Sequence, residues 1–332
     1  MNEDKQFQFI AVILLAFALS LAFVPVCHAQ SEDSSRSDDT ADSGSGDDMS
    51  SGEADTGSSE ADTGSDQTDT GSGAAKIDRS GLEIFQAAGP NPIPPEAPQS
   101  IQSTVDAFRA TLGDPNNGNN PGPISGGRRE INWDGGGPPV ANTTAPVTPF
   151  DVFLNTRGAR STTPGKGLSQ ATPDGLAVLF KNASYSFTFS TFSPLRLFTP
   201  KGSNITEVLF FLPGINPPPL PGDPSTPATV RGFGAVFTDV DRPDGSQVDN
   251  RRSRRASTFI EYFDAQNRLI FRGIVPPDPG TKNMSFFGIV LDHPIIARVR
   301  IITGNSAPGP DDGSRDIVMM DDFIYGEPQM AP

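Results

Sequence analysis

The sequence predicts an all-β fold, a sandwich of antiparallel strands, and two observations lead to this prediction. Between residues 230 and 325, short apolar runs rich in Val, Ile and Phe alternate with Gly, Pro, Asn and Asp. This pattern is typical of short strands joined by turns. The chain also contains 33 Pro and 34 Gly, and its hydrophobic fraction of 35% predicts that a sizeable share of the 332 residues is disordered.

Residues 1–29 have the features of a secretory signal. The run from Phe9 to Val26 is apolar apart from Ser20, and small residues occupy the −3 and −1 positions of a cut after Ala29. Two alternatives remain open, an uncleaved membrane anchor and a lipid attached to Cys27. We therefore expect a secreted or cell-surface protein, which meets the membrane only through an uncleaved leader or a lipid anchor.

Residues 30–75 are predicted to be a disordered acidic tether. They are rich in Ser, Asp, Gly and Thr, and the motif EADTGS occurs at Glu53 and again at Glu60. Between residues 31 and 75, thirteen acidic residues stand against one arginine, so −12 of the net charge of −15 resides there. Such a segment cannot bury enough apolar surface to fold. The charge that would repel nucleic acid belongs to the tether, and we expect no nucleic-acid partner.

Thiol and imidazole chemistry is nearly excluded by composition. Cys27 is the single cysteine and lies in the predicted leader, so the exported chain would have no disulfide and no thiolate nucleophile. After cleavage, His293 would be the single histidine, and it follows Asp292 in a sequence typical of a turn. We interpret it as a turn residue.

Residues 76–125 are predicted to be a Pro-rich segment with one short helix, and residues 126–329 the sandwich. Ile101, Val105, Phe108 and Leu112 have helical spacing, which predicts a helix over 99–112 that packs on the sandwich. The segment 77–98 is expected to be irregular. Further strands are predicted near 150–154, 177–180, 185–191 and 207–212.

The aromatic residues indicate a core rather than a binding surface. There are 23 Phe against three Tyr and one Trp, whereas exposed carbohydrate platforms favour Trp and Tyr. The phenylalanines on strand patterns are expected in the core, namely Phe237, Phe259, Phe263, Phe271, Phe287 and Phe323.

The segment 126–137 holds the candidate ligand-binding residues Arg128, Arg129, Glu130, Trp133 and Asp134. An aromatic face beside carboxylate and guanidinium groups is typical of sugar recognition. The alternative is a strand with Ile131 and Trp133 on its core face and Arg129, Glu130 and Asp134 solvated.

Two acidic pairs, Asp239 with Asp241 and Asp321 with Asp322, are candidate ligands of a structural calcium ion. Calcium takes six to eight hard oxygens, which aspartates and loop carbonyls supply. The alternative is solvated turn acids together with one buried, hydrogen-bonded aspartate. Two carboxylates could also serve a glycoside hydrolase if they faced each other across a cleft.

The cluster Arg251, Arg252, Arg254 and Arg255 has two interpretations. It is either a solvated hairpin tip that contacts the acidic tether, or a contact for a polyanion such as an acidic polysaccharide.

Several blocks resemble those of uncharacterised secreted bacterial proteins, among them GRREINWDG at 127–135, GFGAVFTDVD at 232–241 and MMDDFIYGEPQ at 319–329. These proteins are similar to the jelly-roll sandwiches of galactose-binding-like and surface-sorted domains. The resemblance implies a jelly-roll fold and an exported location, and it implies no activity.

The expected function is that of a secreted, non-catalytic module that binds or organises extracellular carbohydrate or another cell-surface component. The alternatives are a structural surface protein without a small ligand, or a two-carboxylate glycoside hydrolase.

Overall fold

A computed structural model describes residues 79–91, 100–135, 146–214, 226–241, 258–310 and 315–331. The predicted leader, the predicted tether and the cluster Arg251–Arg255 lie outside these residues.

The described residues form mostly β-strands, with a few short helices. The strands are β1 (Glu83–Gly89), β2 (Arg128–Ile131), β3 (Ala159–Thr162), β4 (Gly167–Ala171), β5 (Leu197–Lys201), β6 (Ile205–Phe210), β7 (Ala228–Thr229), β8 (Gly232–Thr238), β9 (Phe259–Phe263), β10 (Leu269–Ile274), β11 (Met284–Val290), β12 (Arg298–Ile302), β13 (Met319–Gly326) and β14 (Gln329–Met330). The helices are α1 (Gln102–Leu112), α2 (Leu154–Arg157), α3 (Pro173–Phe180) and α4 (Tyr185–Thr188).

Two antiparallel sheets pack face to face, so the predicted all-β sandwich is confirmed. The seven-stranded sheet has the order β1-β11-β8-β13-β5-β4, with β2 also paired to β13, and the five-stranded sheet has the order β10-β9-β12-β6-β3. One apolar core contains residues of both sheets, such as Phe233 and Phe323 from the first and Ile260 and Val299 from the second. The hydroxyl of Tyr262 crosses this core and donates to the carbonyl of Phe233 at 3.1 Å. A separate two-stranded sheet pairs β14 with β7.

The central strands of the seven-stranded sheet are buried on both faces. Every residue of β8, β11 and β13 is buried. Helix α1 covers part of the outer face, where Phe108 meets Phe286 at a ring-centroid distance of 5.2 Å. Helices α3 and α4 cover another part, packing Leu176 and Tyr185 against Met319. Because both faces are buried, the sequences of these strands are continuous apolar runs and do not alternate between apolar and polar residues.

The five-stranded sheet is buried on one face only. Strands β6, β9 and β12 alternate between half-exposed and buried residues, as expected when one face meets the core. Phe259 and Phe263 lie on the half-exposed side. Their prediction as core residues is therefore wrong, whereas Phe237, Phe287 and Phe323 are buried as expected.

Two predicted strands are helices. Residues 177–180 belong to α3, and residues 185–188 form α4. The oxygen of Thr172 accepts from the amide of Gly175, and Pro173 occupies the first turn, which together start α3. A short apolar run does not distinguish a buried strand from a buried helix. The Thr-Pro-Asp start was the signal for the helix.

The segment predicted as irregular contributes a strand. Residues 83–89 form β1, which pairs with β11 along its whole length. Helix α1 spans 102–112 and packs on the same sheet through Val105, Phe108 and Leu112. Residues before position 126 thus complete the sandwich, and the single predicted helix is joined by three others within the described ranges.

The close approach of α1 to the sheet requires small residues. A Cβ built on Gly288 would lie 2.8 Å from Phe108 Cε2 and 2.9 Å from the Cα of Gly234. We expect Gly288→Ala to lower the free energy of unfolding by about 1–3 kcal/mol, because the added methyl overpacks a filled core. Urea denaturation would measure the change.

Gly309→Ala is the matched control, because a Cβ at Gly309 meets nothing within 4 Å. We expect it to change the free energy of unfolding by less than about 0.5 kcal/mol. Equal stability of the two variants would contradict the packing of α1 described above.

Candidate functional site

Trp133 lies in the core and not on an exposed shelf. Its side chain has 0% exposure and stacks on Phe198 at a centroid distance of 3.7 Å. Phe323 packs edge-to-face on it at a centroid distance of 4.9 Å, and the indole Nε1 donates to the carbonyl of Asp321 at 2.9 Å. The candidate sugar platform is therefore absent at this residue, and its core placement follows the strand interpretation.

Arg129 is buried and fully hydrogen-bonded. Its Nε and one Nη donate to the carboxylate of Glu327 at 2.7 and 2.8 Å. The remaining guanidinium hydrogens are directed at the carbonyls of Gly118, Asn120 and Thr156, at 2.8–3.0 Å. All five donors of the guanidinium are therefore used. The expectation that Arg129 is solvated is wrong.

The carboxylate of Glu327 accepts two further hydrogen bonds, both from the loop at residues 117–124. The side-chain amide of Asn117 donates to it at 2.8 Å, and the backbone amide of Ile124 donates at 3.2 Å. The pair therefore joins the loop 117–124, strand β2 and the end of β13. A buried ion pair of this completeness is structural in character.

The remaining candidate ligand residues also contact other parts of the protein. Glu130 accepts from Arg109 at 2.8 Å and from Arg128 at 2.7 Å, and Arg128 also pairs with Asp114. The carboxylate of Asp134 accepts from the backbone amides of Leu195 and Arg196. Within the predicted set, Arg128 and Glu130 bond to each other, whereas Arg129, Trp133 and Asp134 bond to different parts of the protein.

A β-bulge places Asp321 and Asp322 side by side. Met320 pairs with Phe237 and Phe323 with Ala235, so β13 carries one more residue than β8 between these pairs. Met320 and Phe323 both face the inter-sheet core. The extra residue directs both aspartates away from that core.

Both aspartates are buried beneath the chain at residues 192–193. The amide of Phe192 donates to Asp321 Oδ2 at 2.6 Å, and the hydroxyl of Ser193 bonds to Asp322. Burial raises the pKa of Asp321 well above its ordinary value, and the neighbouring charge of Asp322 raises it further. The burial of Asp322 also raises its pKa, although hydrogen bonds from Ser193 and Asp321 and the charge of Arg109 oppose the rise.

The raised pKa of Asp321 favours its protonated form, and the carboxyl of Asp321 lies in hydrogen-bond contact with that of Asp322. Arg109 Nη2 lies 3.6 Å from the outer oxygen of Asp322.

Asp239 and Asp241 lie in a different environment, an open cleft of about 360 Å³. Asp239 follows β8 with a left-handed backbone, φ 68°, which turns the chain out of the sheet. Asp241 Oδ1 accepts from the amide of Gly280 at 3.0 Å. The opposite lining includes Ser184 and Thr188 of the α4 region.

Other cleft residues were not among the sequence-predicted candidates. Thr281 and Arg315 line it, and the buried side chains of Phe189 and Ile317 form its apolar part. They come from segments far apart in the chain, so no local sequence pattern connects them. The Pro-Gly-Thr turn at 279–281 was the one local signal of a loop.

A calcium ion held by either acidic pair together with backbone carbonyls stays a prediction. In the part of the chain that the structure describes, no group of three or more Asp, Glu, His or Cys side chains is placed to hold a metal ion. His293 is exposed after β11, as the turn interpretation implies.

Comparison with protein-family models, curated proteins and solved structures finds no match to this chain. Among the described residues, no helix has the length and apolar character needed to cross a membrane.

Removing the buried cation at Arg129 tests the network around Glu327. We expect Arg129→Met to lower the free energy of unfolding by about 3–5 kcal/mol, because an unpaired carboxylate and three carbonyls remain buried. Chemical denaturation would measure this. As a control, Arg160→Met breaks the half-exposed pair of Arg160 with Asp151, and it should cost about 1 kcal/mol or less. Similar losses for both variants would contradict the structural importance of the buried pair.

The raised pKa of Asp321 predicts a specific pH dependence of stability. A carboxyl with a raised folded-state pKa binds its proton more tightly in the folded than in the unfolded chain. Its contribution to stability is therefore present at low pH and is lost as pH rises from about 3.9 toward the folded-state pKa. We expect Asp321→Asn to flatten this fall, measured as urea midpoints between pH 4 and 8.

The exposed Asp174 on α3 provides the control. Asp174→Asn should keep the pH dependence of the unmodified chain. An unchanged slope in Asp321→Asn would show that this carboxyl does not hold the proton.

Proposed function

We propose that this chain is a secreted or cell-surface, non-catalytic β-sandwich module that binds extracellular carbohydrate, or a similar surface component, in the cleft of Asp239 and Asp241. The observation that carries the proposal is the lining of this cleft. It combines two carboxylates, three hydroxyl side chains and one guanidinium around an open volume of about 360 Å³.

The cleft has the chemistry that a sugar ring requires. Carboxylates accept from sugar hydroxyls, and the hydroxyls of Ser184, Thr188 and Thr281 can donate or accept. Arg315 supplies fixed donors. The volume falls within the range of about 300–1,000 Å³ of small-ligand sites. Asp239 holds a left-handed backbone at this edge, a conformation that a non-glycine residue rarely adopts without a reason.

The course of the chain supports a jelly-roll arrangement. After β8 in the seven-stranded sheet, β9 and β10 lie in the five-stranded sheet, β11 returns, β12 crosses again, and β13 returns once more. Repeated crossing between two antiparallel sheets is a feature of double-sheet Greek-key folds. The resemblance to galactose-binding-like modules and the secretory character of residues 1–29 agree with an extracellular ligand.

A non-catalytic role is favoured over hydrolysis at the second acidic pair. A glycoside hydrolase places its two carboxyl groups about 5–10 Å apart across the scissile bond. Asp321 and Asp322 instead share a hydrogen bond and are both buried. They stabilise the bulge of β13 and the segment above it.

Substitution of the cleft carboxylates tests the proposal. A glycan-array screen of the full-length chain would identify bound sugars, and isothermal titration would give their affinities. We expect Asp239→Asn and Asp241→Asn each to weaken binding by about tenfold or more, since a hydrogen bond to a charged group contributes about 1.5–3 kcal/mol. The control Asp174→Asn should bind like the unmodified chain.

Two outcomes would count against the proposal. Absence of binding to any glycan would favour a structural surface protein without a small ligand. Release of reducing ends from a bound glycan would show a hydrolase instead of a binding module.

A further inference from the structure

The outer face of the five-stranded sheet carries an ordered set of half-exposed side chains. On β9, β12 and β6, every second residue points away from the core and is half-exposed. Ile274 on the edge strand β10 is 52% exposed. The seven-stranded sheet has its outer face covered by helices, so this surface, called here the open face, is the uncovered layer of the described sandwich.

One row across the open face is entirely apolar. Ile274 pairs with Phe259, Phe259 with Ile302, and Ile302 with Ile205. Four neighbouring apolar side chains on one row form a continuous patch rather than scattered exposed residues, and such patches mark interaction sites.

The next row alternates in charge. Arg272 pairs with Glu261, Glu261 with Arg300, and Arg300 with Glu207, so the signs run plus, minus, plus, minus across β10, β9, β12 and β6. Within the chain, Arg300 lies 2.7 Å from Glu207 and 3.8 Å from Glu261. The order of signs is fixed by strand register, because the side chains alternate with a period of two.

The third row mixes apolar and cationic residues. It contains Leu269, Phe263, Arg298 and Leu209 in register. The guanidinium of Arg298 lies over the ring of Phe263, 3.8 Å from its centroid. This is a favourable cation–π contact, and an arginine and a phenylalanine that face each other across an interface can make the same contact.

We propose that the open face binds the open face of a second copy of this chain, about a twofold axis parallel to the strands and passing between β9 and β12. This rotation places each row opposite the same row of the second copy, with the order of its strands reversed. Arg272 then faces Glu207 of the second copy, and Glu261 faces its Arg300. The apolar row faces itself, and Phe263 faces Arg298.

The alternative twofold axis, which runs across the strands, is unfavourable. It would place Arg272 opposite Arg272 of the second copy, and Glu261 opposite Glu261 of the second copy. Like charges that face each other repel. The order of charges therefore favours one of the two twofold dimers. In that dimer the same surface patch of each copy forms the interface.

The size of the face indicates a weak dimer. The four strands that this axis pairs, β10, β9, β12 and β6, are spaced by about 4.8 Å, and five residues at about 3.4 Å give a flat area of about 19 by 17 Å, about 330 Å² per copy. Stable interfaces bury about 800 Å² per partner. We therefore expect association in the micromolar to millimolar range, weakened by salt because the central row is ionic.

Charge reversal with rescue in a mixture tests this dimer. Sedimentation velocity of the full-length chain over a concentration series would give the dimer dissociation constant. We expect Glu261→Arg alone and Arg300→Glu alone each to raise that constant by about tenfold or more, since each places two pairs of like charges across the interface.

Mixing the two variants should restore association as a heterodimer, because Arg at 261 then faces Glu at 300 in one direction and the native pair remains in the other. The double variant Glu261→Arg with Arg300→Glu should also dimerise, since its order of signs is again self-complementary. A variant that merely failed to fold could not be rescued by mixing.

Glu83→Arg on the exposed strand β1 is the matched control and should leave the dissociation constant unchanged. A chain that stays monomeric at millimolar concentration would overturn the proposal. Single reversals that associate like the unmodified chain, or a mixture that stays monomeric, would overturn it as well.

Discussion

The hydrogen-bonded pair of Arg129 and Glu327 holds together the loop at residues 117–124, strand β2 and the end of β13. Arg129 has 0% side-chain exposure and Glu327 has 1%, so neither charge can be stabilised by water. Desolvation of two charges costs several kcal/mol each, and only a complete set of partners offsets it. The loop 117–124 supplies most of these partners, which holds it against β2 and the end of β13. The rest of the seven-stranded sheet is arranged around β13.

The two sheets differ because one is covered on both faces. In the seven-stranded sheet any polar group must find its partners inside the protein. This accounts for the bond from the Phe192 amide to the Asp321 carboxyl and for the bond from Trp133 to the Asp321 carbonyl. The five-stranded sheet has water on one side, so it can carry arginine and glutamate in the same rows as phenylalanine. The two proposed interaction sites follow from this difference: a cleft where loops leave the sandwich, and a face that none of the described helices covers.

The cleft and the open face are built from different parts of the fold. The cleft of Asp239 and Asp241 is built from the end of β8, the turn at 279–281 and the α4 region. Such loops can vary without altering the core, which is why binding residues are often found on them. The open face is instead built from strand register, and its charge order depends on the pairing of β10, β9, β12 and β6.

The sequence by itself determined the all-β sandwich, and it left Trp133 open between a binding surface and the core. The sandwich follows from local pattern and composition, because alternation along a strand records which side is buried. Only the tertiary structure decided that Arg129 is buried and that Trp133 lies in the core, and that Phe259 and Phe263 face outward. The same holds for the cleft and the charge row, whose members are distant in sequence. The physical reason is that burial, pKa and register depend on which strands become neighbours, and long-range pairing is not encoded in any single segment.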